Sequence, residues 1–532
     1  MACSKLFSGY LPELTDEIIQ YFRNDYKTLH SCALVNRFWS RLSIPLLWED
    51  PSDFRFIETY LRRLNDNDKN KLNNYWNKSN PYSNTLFNYP SFIKYLNTKK
   101  FIDSINSFIN EEKFSNRIKN SDNIERIYCD LIFKLFIENE VNLHTFELEV
   151  IIDDSLVSFE LLLECLKFTC NMKNLESFYF QMAIMDYDEY YKIKEFLMEI
   201  IKSQQNLKNT SFENVSFNDF LSLENNMNLP ISLFTSSNCL NTLNKIVFFD
   251  TDFRNVEFKA IESLNVLESI HILYCINLNS NFIQQIMSFT KPFKLKSLFM
   301  KTKIQIRLLE SLLQKSCDYL ENIGFELSMY KSGQLEPIIN QCTKIRYFEL
   351  RRINNQITFP TLNLIKSFGN SLNYLSIEFR RHSHVSSDDI RLSSNIFLKL
   401  GEILPPKLEY LSLSLMINAR DFNTFLFKTR NIIIKKLLIE NLMKEGDLIP
   451  YIKEHVMKEK RVKYLAIDES VTENDIKEFE SYNIKFVNFD DFYIRAYEFT
   501  VANRCYTTKP YKNNARFNPD LRQVIADVRA SD

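Results

Sequence analysis

Glycine is scarce. The chain holds 6 in 532 residues, where average usage of about 7% would give several times as many. Gly9, Gly324, Gly333, Gly369, Gly401 and Gly446 stand far apart. A phosphate-cradling loop needs clustered glycines, because backbone N–H groups must approach the ligand without side chains in the way. No G-x-G-x-x-G or G-x-x-x-x-G-K-[ST] occurs, so the chain is not expected to be a nucleotide-fuelled enzyme. The 10 cysteines include no C-x-x-C pair, which removes the zinc-ribbon and dithiol redox signatures. None of the 6 histidines forms H-E-x-x-H. His382 and His384 with Asp388 and Asp389 are the nearest approach to a metal set, and they read as a solvated polar loop. Charge is balanced, 66 basic against 67 acidic residues, so there is no general attraction to nucleic acid or anionic membrane. No apolar run approaches the roughly 18 residues of a membrane span, and the first residues lack a secretory apolar core. The expectation is a reduced, soluble, cytoplasmic or nuclear protein with no cofactor and no catalytic residues.

What is present is apolar mass: 45% hydrophobic and 14% aromatic residues. The first fifty residues suggest three short helices. Pro12 suits a helix start, where its missing N–H costs nothing. Leu14, Ile18 and Phe22 share one helical face. Asn24 and Asp25 interrupt. Leu29, Cys32 and Ala33 then point inward from a second helix over Lys27 to Leu34. Val35, Trp39 and Leu42 give a third stripe that Pro45 is expected to stop, with Leu46, Leu47 and Trp48 packing beneath. Three helices in about 40 residues are near the minimum for a core, and such a unit usually leans on a partner.

Leu11-Pro12, Ile18-Ile19, Leu29, Val35-Asn36-Arg37, Trp39 and Pro45 to Trp48 together resemble the F-box motif. That family docks on the adaptor subunit of SCF-type cullin–RING ubiquitin ligases. The resemblance implies that Leu11, Pro12, Ile18, Leu29, Val35 and Trp39 sit in or behind an adaptor-binding surface, and that cullin and RING subunits are reached through the adaptor. The acidic residue often found two places after the proline is Leu14 here, with Glu13 one place early.

Beyond residue 140 a short pattern recurs: apolar, two variable, apolar, one variable, apolar. It runs from Leu143, Phe146 and Leu148 through Leu372, Leu375 and Ile377 to Ile484, Val487 and Phe489. A degenerate copy spans Leu207 to Phe212. Thirteen copies occur at spacings of 22 to 36 residues, close to the roughly 20–29 of leucine-rich repeats. The last apolar pair alternates as a strand with one buried face does. Helical stretches such as Ile306 to Lys315 and Gly333 to Gln341 lie between copies. The fold class expected is α/β: a three-helix F-box over 1–50, then an irregular leucine-rich-repeat solenoid of parallel strand–helix repeats over 143–490. Residues 51–142 would link and cap it, with a polar loop over Asn65 to Asn80 and helices over Ser91 to Asn110 and Ile124 to Glu138. Residues 491–532 would close the far end, with a terminal helix over Leu521 to Ala530. Cys317 and Cys342 each precede a strand by three residues and are read as packing residues.

Taking the first apolar residue of each copy as position zero, residues at +2, +4 and +6 point away from the core, onto a concave sheet face. The +2 column turns aromatic at the eighth copy: Tyr347, Tyr374, Tyr410, then Tyr464 and Phe486, with Lys436 between. The +6 column is mainly acidic and includes Glu378, Glu440 and Asp468. Tyrosine supplies rigid area plus a hydroxyl, as interface hot spots do, although it also simply suits a half-exposed strand. The expected function is a non-enzymatic substrate receptor that binds a protein target on residues 345–490. The alternative is a leucine-rich-repeat scaffold or signalling protein acting outside a ubiquitin ligase.

Overall fold

The computed structural model describes residues 12–496 except 24, 53, 76–86, 116–123, 140, 151–173, 183–186, 214–238, 254–257, 328–329, 332–333, 336–338, 354–357, 380–386, 444–446, 460 and 469–470. Leu11, the helix expected over Leu521 to Ala530, the His382–His384 loop and Gly333 lie outside the described residues. The chain is α/β, with fourteen parallel strands whose order in the sheet is their order in the sequence. Contacts divide it into two compact units, Met1–Ile246 with Ser263–Leu267, and Val247–Glu262 with Glu268 onward. Among the described residues no helix is long and apolar enough to cross a membrane.

The first unit opens with helices Pro12–Tyr21, Tyr26–Ala33 and Arg37–Leu47. Asp25 caps the second by accepting the Thr28 N–H. Asn36 caps the third through both Phe38 and Trp39, satisfying amides that have no partner inside the helix. Their core is Ile19, Leu29, Cys32, Trp39, Leu46 and Leu47. Two expectations shift. The inward stripe of the first helix is Thr15 and Ile19, one residue on from Leu14 and Ile18. Apolar residues on both faces left that choice open. Pro45 does not stop the third helix, which continues to Leu47. Near a C-terminus a proline removes only one ladder bond, and that bond's acceptor would be the carbonyl of exposed Arg41.

Helices Phe54–Arg62, Asp66–Asn73, Thr98–Phe114 and Ile124–Glu138 follow. The expected polar loop after Asn65 thus contains a helix. It is pinned by Asp68, whose buried carboxylate receives Lys71 at 2.8 Å and Lys134 at 2.6 Å. Within the stretch expected to be helical from Ser91, Tyr95–Asn97 forms strand β1. It carries a partial copy of the apolar pattern, Ile93 and Leu96, both buried, with Thr98 at the third position. The strands after it are β2 (Thr145–Val150), β3 (Ser177–Met182) and β4 (Asn209–Glu213), then β5 (Lys245–Phe249), which crosses the division between the units. In β2 and β3 buried residues alternate with half-buried ones, as Phe178, Tyr179 and Phe180 do, so one face is packed and the other is open to water.

One hydrogen-bonding device repeats along the unit. The carbonyl just before each strand accepts two successive amides of the next strand's start. Lys94 O takes His144 and Thr145, His144 O takes Glu176 and Ser177, Glu176 O takes Lys208 and Asn209, and Lys208 O takes Asn244 and Lys245. The series begins before any strand: Glu49 O accepts Lys94 and Tyr95 at 2.9 and 3.0 Å. The Glu49 carboxylate, almost fully buried, binds Arg23 at 3.1 Å and Lys94 at 2.8 Å.

The second unit carries β6 (Ser269–Leu273), β7 (Leu295–Met300), β8 (Asn322–Glu326), β9 (Tyr347–Arg351), β10 (Tyr374–Glu378), β11 (Tyr410–Leu415), β12 (Lys436–Asn441), β13 (Tyr464–Ile467) and β14 (Lys485–Phe486). All thirteen copies of the apolar pattern coincide with β2 to β14. The helix expected from Ile306 runs to Ser316, and others span Ser387–Ile403 and Ala419–Lys428. Leu298, Phe348, Leu375, Leu411 and Leu465 are fully buried, as expected. Cys342 is buried, and burial pushes its thiol up to about 12, which suits packing rather than nucleophilic chemistry. Unlike β2 and β3, β11, β12 and β13 are buried at every position. Their second face is covered as well.

Candidate functional site

Two surfaces stand out. The first is on the three opening helices. Leu14, Tyr21, Tyr26, Leu34 and Val35 are all exposed, Tyr21 by 85% and Leu34 by 74%. These are the large apolar side chains that this small unit leaves exposed. Of the residues expected at the adaptor surface, Pro12 and Val35 are exposed and Ile18 is half-buried. Leu29 and Trp39 are buried beneath them. Leu14, expected on the inward face with Ile18 and Phe22, is exposed, and Tyr21, Tyr26 and Leu34 carry no sequence signal that separates them from core residues.

The second surface is the sheet face opposite the helices of the second unit. The +2 tyrosines stand in register there: Tyr347, Tyr374 and Tyr410 are direct neighbours across β9, β10 and β11. Tyr374 and Tyr410 have ring centroids 6.1 Å apart. This face is not open as expected. Tyr347 and Tyr410 are 0% exposed, Tyr374 6% and Tyr464 7%. The chain itself covers them. After β14 it makes a single helical turn, Phe489–Phe492, packed on β12 and β13, and then runs on through Tyr493 and Ile494 to Ala496. Phe492 lies 5.3 Å from Tyr464 between ring centroids, and Phe492 and Ala496 are buried with the tyrosines in one cluster. Tyr410 Oη accepts the Ile494 N–H at 3.0 Å, and Tyr347 Oη donates to the Ile494 carbonyl at 3.3 Å.

Phe486 is on the other face. In β14 the register pairs Lys485 with Tyr464 and Phe486 with Leu465. A shift of one residue moves a side chain across the sheet, and Phe486 stacks on Phe479 at 6.3 Å. Asn483, left-handed at φ 62°, precedes this short strand. Val487 takes the place on the tyrosine side.

The acidic column is largely partnered from within. Glu378 pairs with Arg351 at 3.1 Å. Glu326 pairs with Arg352, and buried Glu440 accepts from the Ser414 hydroxyl. Asp468 remains exposed. The Asp490 side chain lies outside the described ones.

At the centre sits a residue the sequence reading passed over. Glu349, at +4 of β9, is 1% exposed. Its carboxyl accepts Tyr274 Oη at 2.9 Å and Tyr493 Oη at 3.4 Å. Burial raises it to about 7, while Arg351 and the two tyrosine hydroxyls pull the other way. The Arg351 guanidinium lies 5.4 Å over the Tyr274 ring. Tyr274 reaches the cluster from a left-handed backbone at φ 55°, a conformation costing about 1–2 kcal/mol for a side chain with a Cβ. Gly324, the neighbour of Glu349 across β8 and β9, leaves the space that Phe299 and the carboxylate fill. The +4 column held the signal. Of its thirteen members only Glu147 and Glu349 are acidic, and Glu147 is half-buried where Glu349 is buried.

Comparison with models of protein families found no match, and comparison with curated proteins found none.

Proposed function

We propose that the chain is the substrate-receptor subunit of an SCF-type ubiquitin ligase. Its first three helices act as an F-box that docks on the adaptor, and its parallel strand–helix units act as leucine-rich repeats that hold a protein target. The observation that carries this reading is the exposure of Leu14, Tyr21, Tyr26, Leu34 and Val35 on a three-helix unit with its own small core. It joins the F-box-like spacing of Pro12, Val35, Trp39 and Pro45 to Trp48. An apolar surface of this kind is stable in water when a partner covers it. The residues behind it, Leu29 and Trp39, fix the helices that present it.

The test is binding of the purified chain to purified adaptor, followed by biolayer interferometry. Leu34→Asp with Val35→Asp should weaken binding at least about a hundredfold, the scale of losing a hot spot of roughly 3 kcal/mol. The circular dichroism of the sheet should be unchanged. Wild-type chain that fails to bind adaptor, or a double variant that binds as well as wild type, overturns the reading.

A further inference from the structure

We propose that the face formed by Tyr347, Tyr374, Tyr410 and Tyr464 is a docking site for a short peptide, and that residues 489–496 are its resident, displaceable occupant. The partner it takes in trans is a protein segment of the same chemistry: two adjacent aromatic residues followed by an aliphatic one, leaving a helical turn as residues 489–496 do. This deepens the receptor reading and rests on it only for the identity of the face.

Three observations converge. The tyrosine hydroxyls read a main chain, not a side chain: one residue, Ile494, gives its N–H to Tyr410 and takes a hydrogen bond from Tyr347. Any residue outside a helix or sheet ladder offers the same pair of groups. Side-chain choice comes from the flanks. Phe492 fills the space against Tyr464, and the next residue, Tyr493, sends its hydroxyl to Glu349. Finally, residues 493–495 are in no strand. Their main chain is held by side-chain hydroxyls and by the turn bond from Tyr493 N to Phe489 O, not by a strand ladder. Segments held in this way open at lower cost than the core beneath them.

A tethered occupant competes at an effective concentration on the order of millimolar. A free peptide of equal intrinsic affinity therefore gains the site poorly until the resident is weakened. The probe is a fluorescent peptide with the sequence of residues 489–496, measured by anisotropy on the full chain. Phe492→Ala should bind it at least about tenfold more tightly than wild type. Adding Tyr347→Phe and Tyr410→Phe should abolish that gain. Equal peptide affinity for wild type and a folded Phe492→Ala chain overturns the proposal, as does no binding to either. Amide exchange of the wild-type chain decides the matter should Phe492→Ala unfold. The Ile494 amide should exchange faster than that of Leu375, and faster still with excess peptide. Exchange at Ile494 only through global unfolding makes the segment fixed core and rejects the proposal. Adaptor binding of the same variants should match wild type, so loss of the peptide result alone leaves the receptor reading standing.

Discussion

The phenolic oxygen of Tyr410 accepts the main-chain N–H of Ile494 at 3.0 Å across 84 residues of sequence. Tyr410 belongs to a repeating strand and Ile494 to the segment that follows the last one. The bond records how the chain's end turns back over its own sheet. It also separates two kinds of burial on one strand. Leu411 is buried under helices, and Tyr410 is buried under residues 489–496.

That difference is measurable. Tyr410→Phe leaves the ring and removes the acceptor, so it should cost about 1–3 kcal/mol, the range for a buried donor left unsatisfied. Leu411→Ala should cost about 2–5 kcal/mol through the cavity it leaves. Urea unfolding gives both values, and amide exchange locates them. Tyr410→Phe should speed exchange at Ile494 while leaving the amides of β10 and β11 unaffected. Equal acceleration at all of them would contradict the separation.

Glu349 gives a pH dependence with a definite sign. Its folded-state carboxyl titrates at about 7 against an ordinary 4.5, chiefly because it is buried. The groups that face it are Tyr274, Tyr493, Arg351 and Glu378. Between those two values the folded chain keeps a proton that the unfolded chain has lost. Its contribution to stability is therefore complete below pH 4.5 and is lost as pH rises through 7. The linked change is about 3 kcal/mol. Asp68, lowered to about 2 by its lysines and Asn65 against the opposing effect of its burial, acts only at more acidic pH and does not overlap. Melting temperatures at pH 4.5, 6 and 7.5 should fall for wild type relative to Glu349→Gln, whose amide accepts the same hydroxyls and does not ionise. Parallel curves for the two proteins would refute the assignment.

Gly324 is required by its neighbours. A Cβ there would meet Phe299 Cε1 at 2.9 Å and Glu349 Oε2 at 3.0 Å. Gly324→Ala should destabilise by about 1–3 kcal/mol, the range for overpacking a filled interior. Phe299→Leu in the same chain should recover part of that loss, because it withdraws the ring. Simple addition of the two single-variant effects in a double-variant cycle would show that the contact is not the cause.

The fold was more legible in the sequence than the site. Leu375, Leu411 and Leu465 announce their strands because apolar spacing and strand period coincide, and burial under helices enforces it. The strand Tyr95–Asn97 carried only part of that spacing, Ile93 and Leu96, with Thr98 where the third apolar residue would stand. The tyrosine column was visible, but its cover was not. Residues 489–496 reach Tyr347 and Tyr410 through contacts that no local pattern encodes. Phe486 was assigned to the wrong face because a one-residue shift in β14 leaves the apolar spacing intact. Glu349 was passed over because its partners Tyr274 and Tyr493 lie 75 and 144 positions away.

Glu49 has a consequence for the handling of this protein. Its carbonyl is the acceptor for Lys94 and Tyr95 at the start of β1, and its carboxylate clasps Lys94 as well. Beyond anchoring the opening helices, it closes the start of the first strand, at the border of the sheet. A fragment cut after Asp50 would lose that closure and bare two donors on a parallel strand. Such raw borders recruit strands from other molecules. A shortened form made to isolate the repeats would therefore be prone to self-association in proportion to its concentration, for reasons unrelated to any partner it binds.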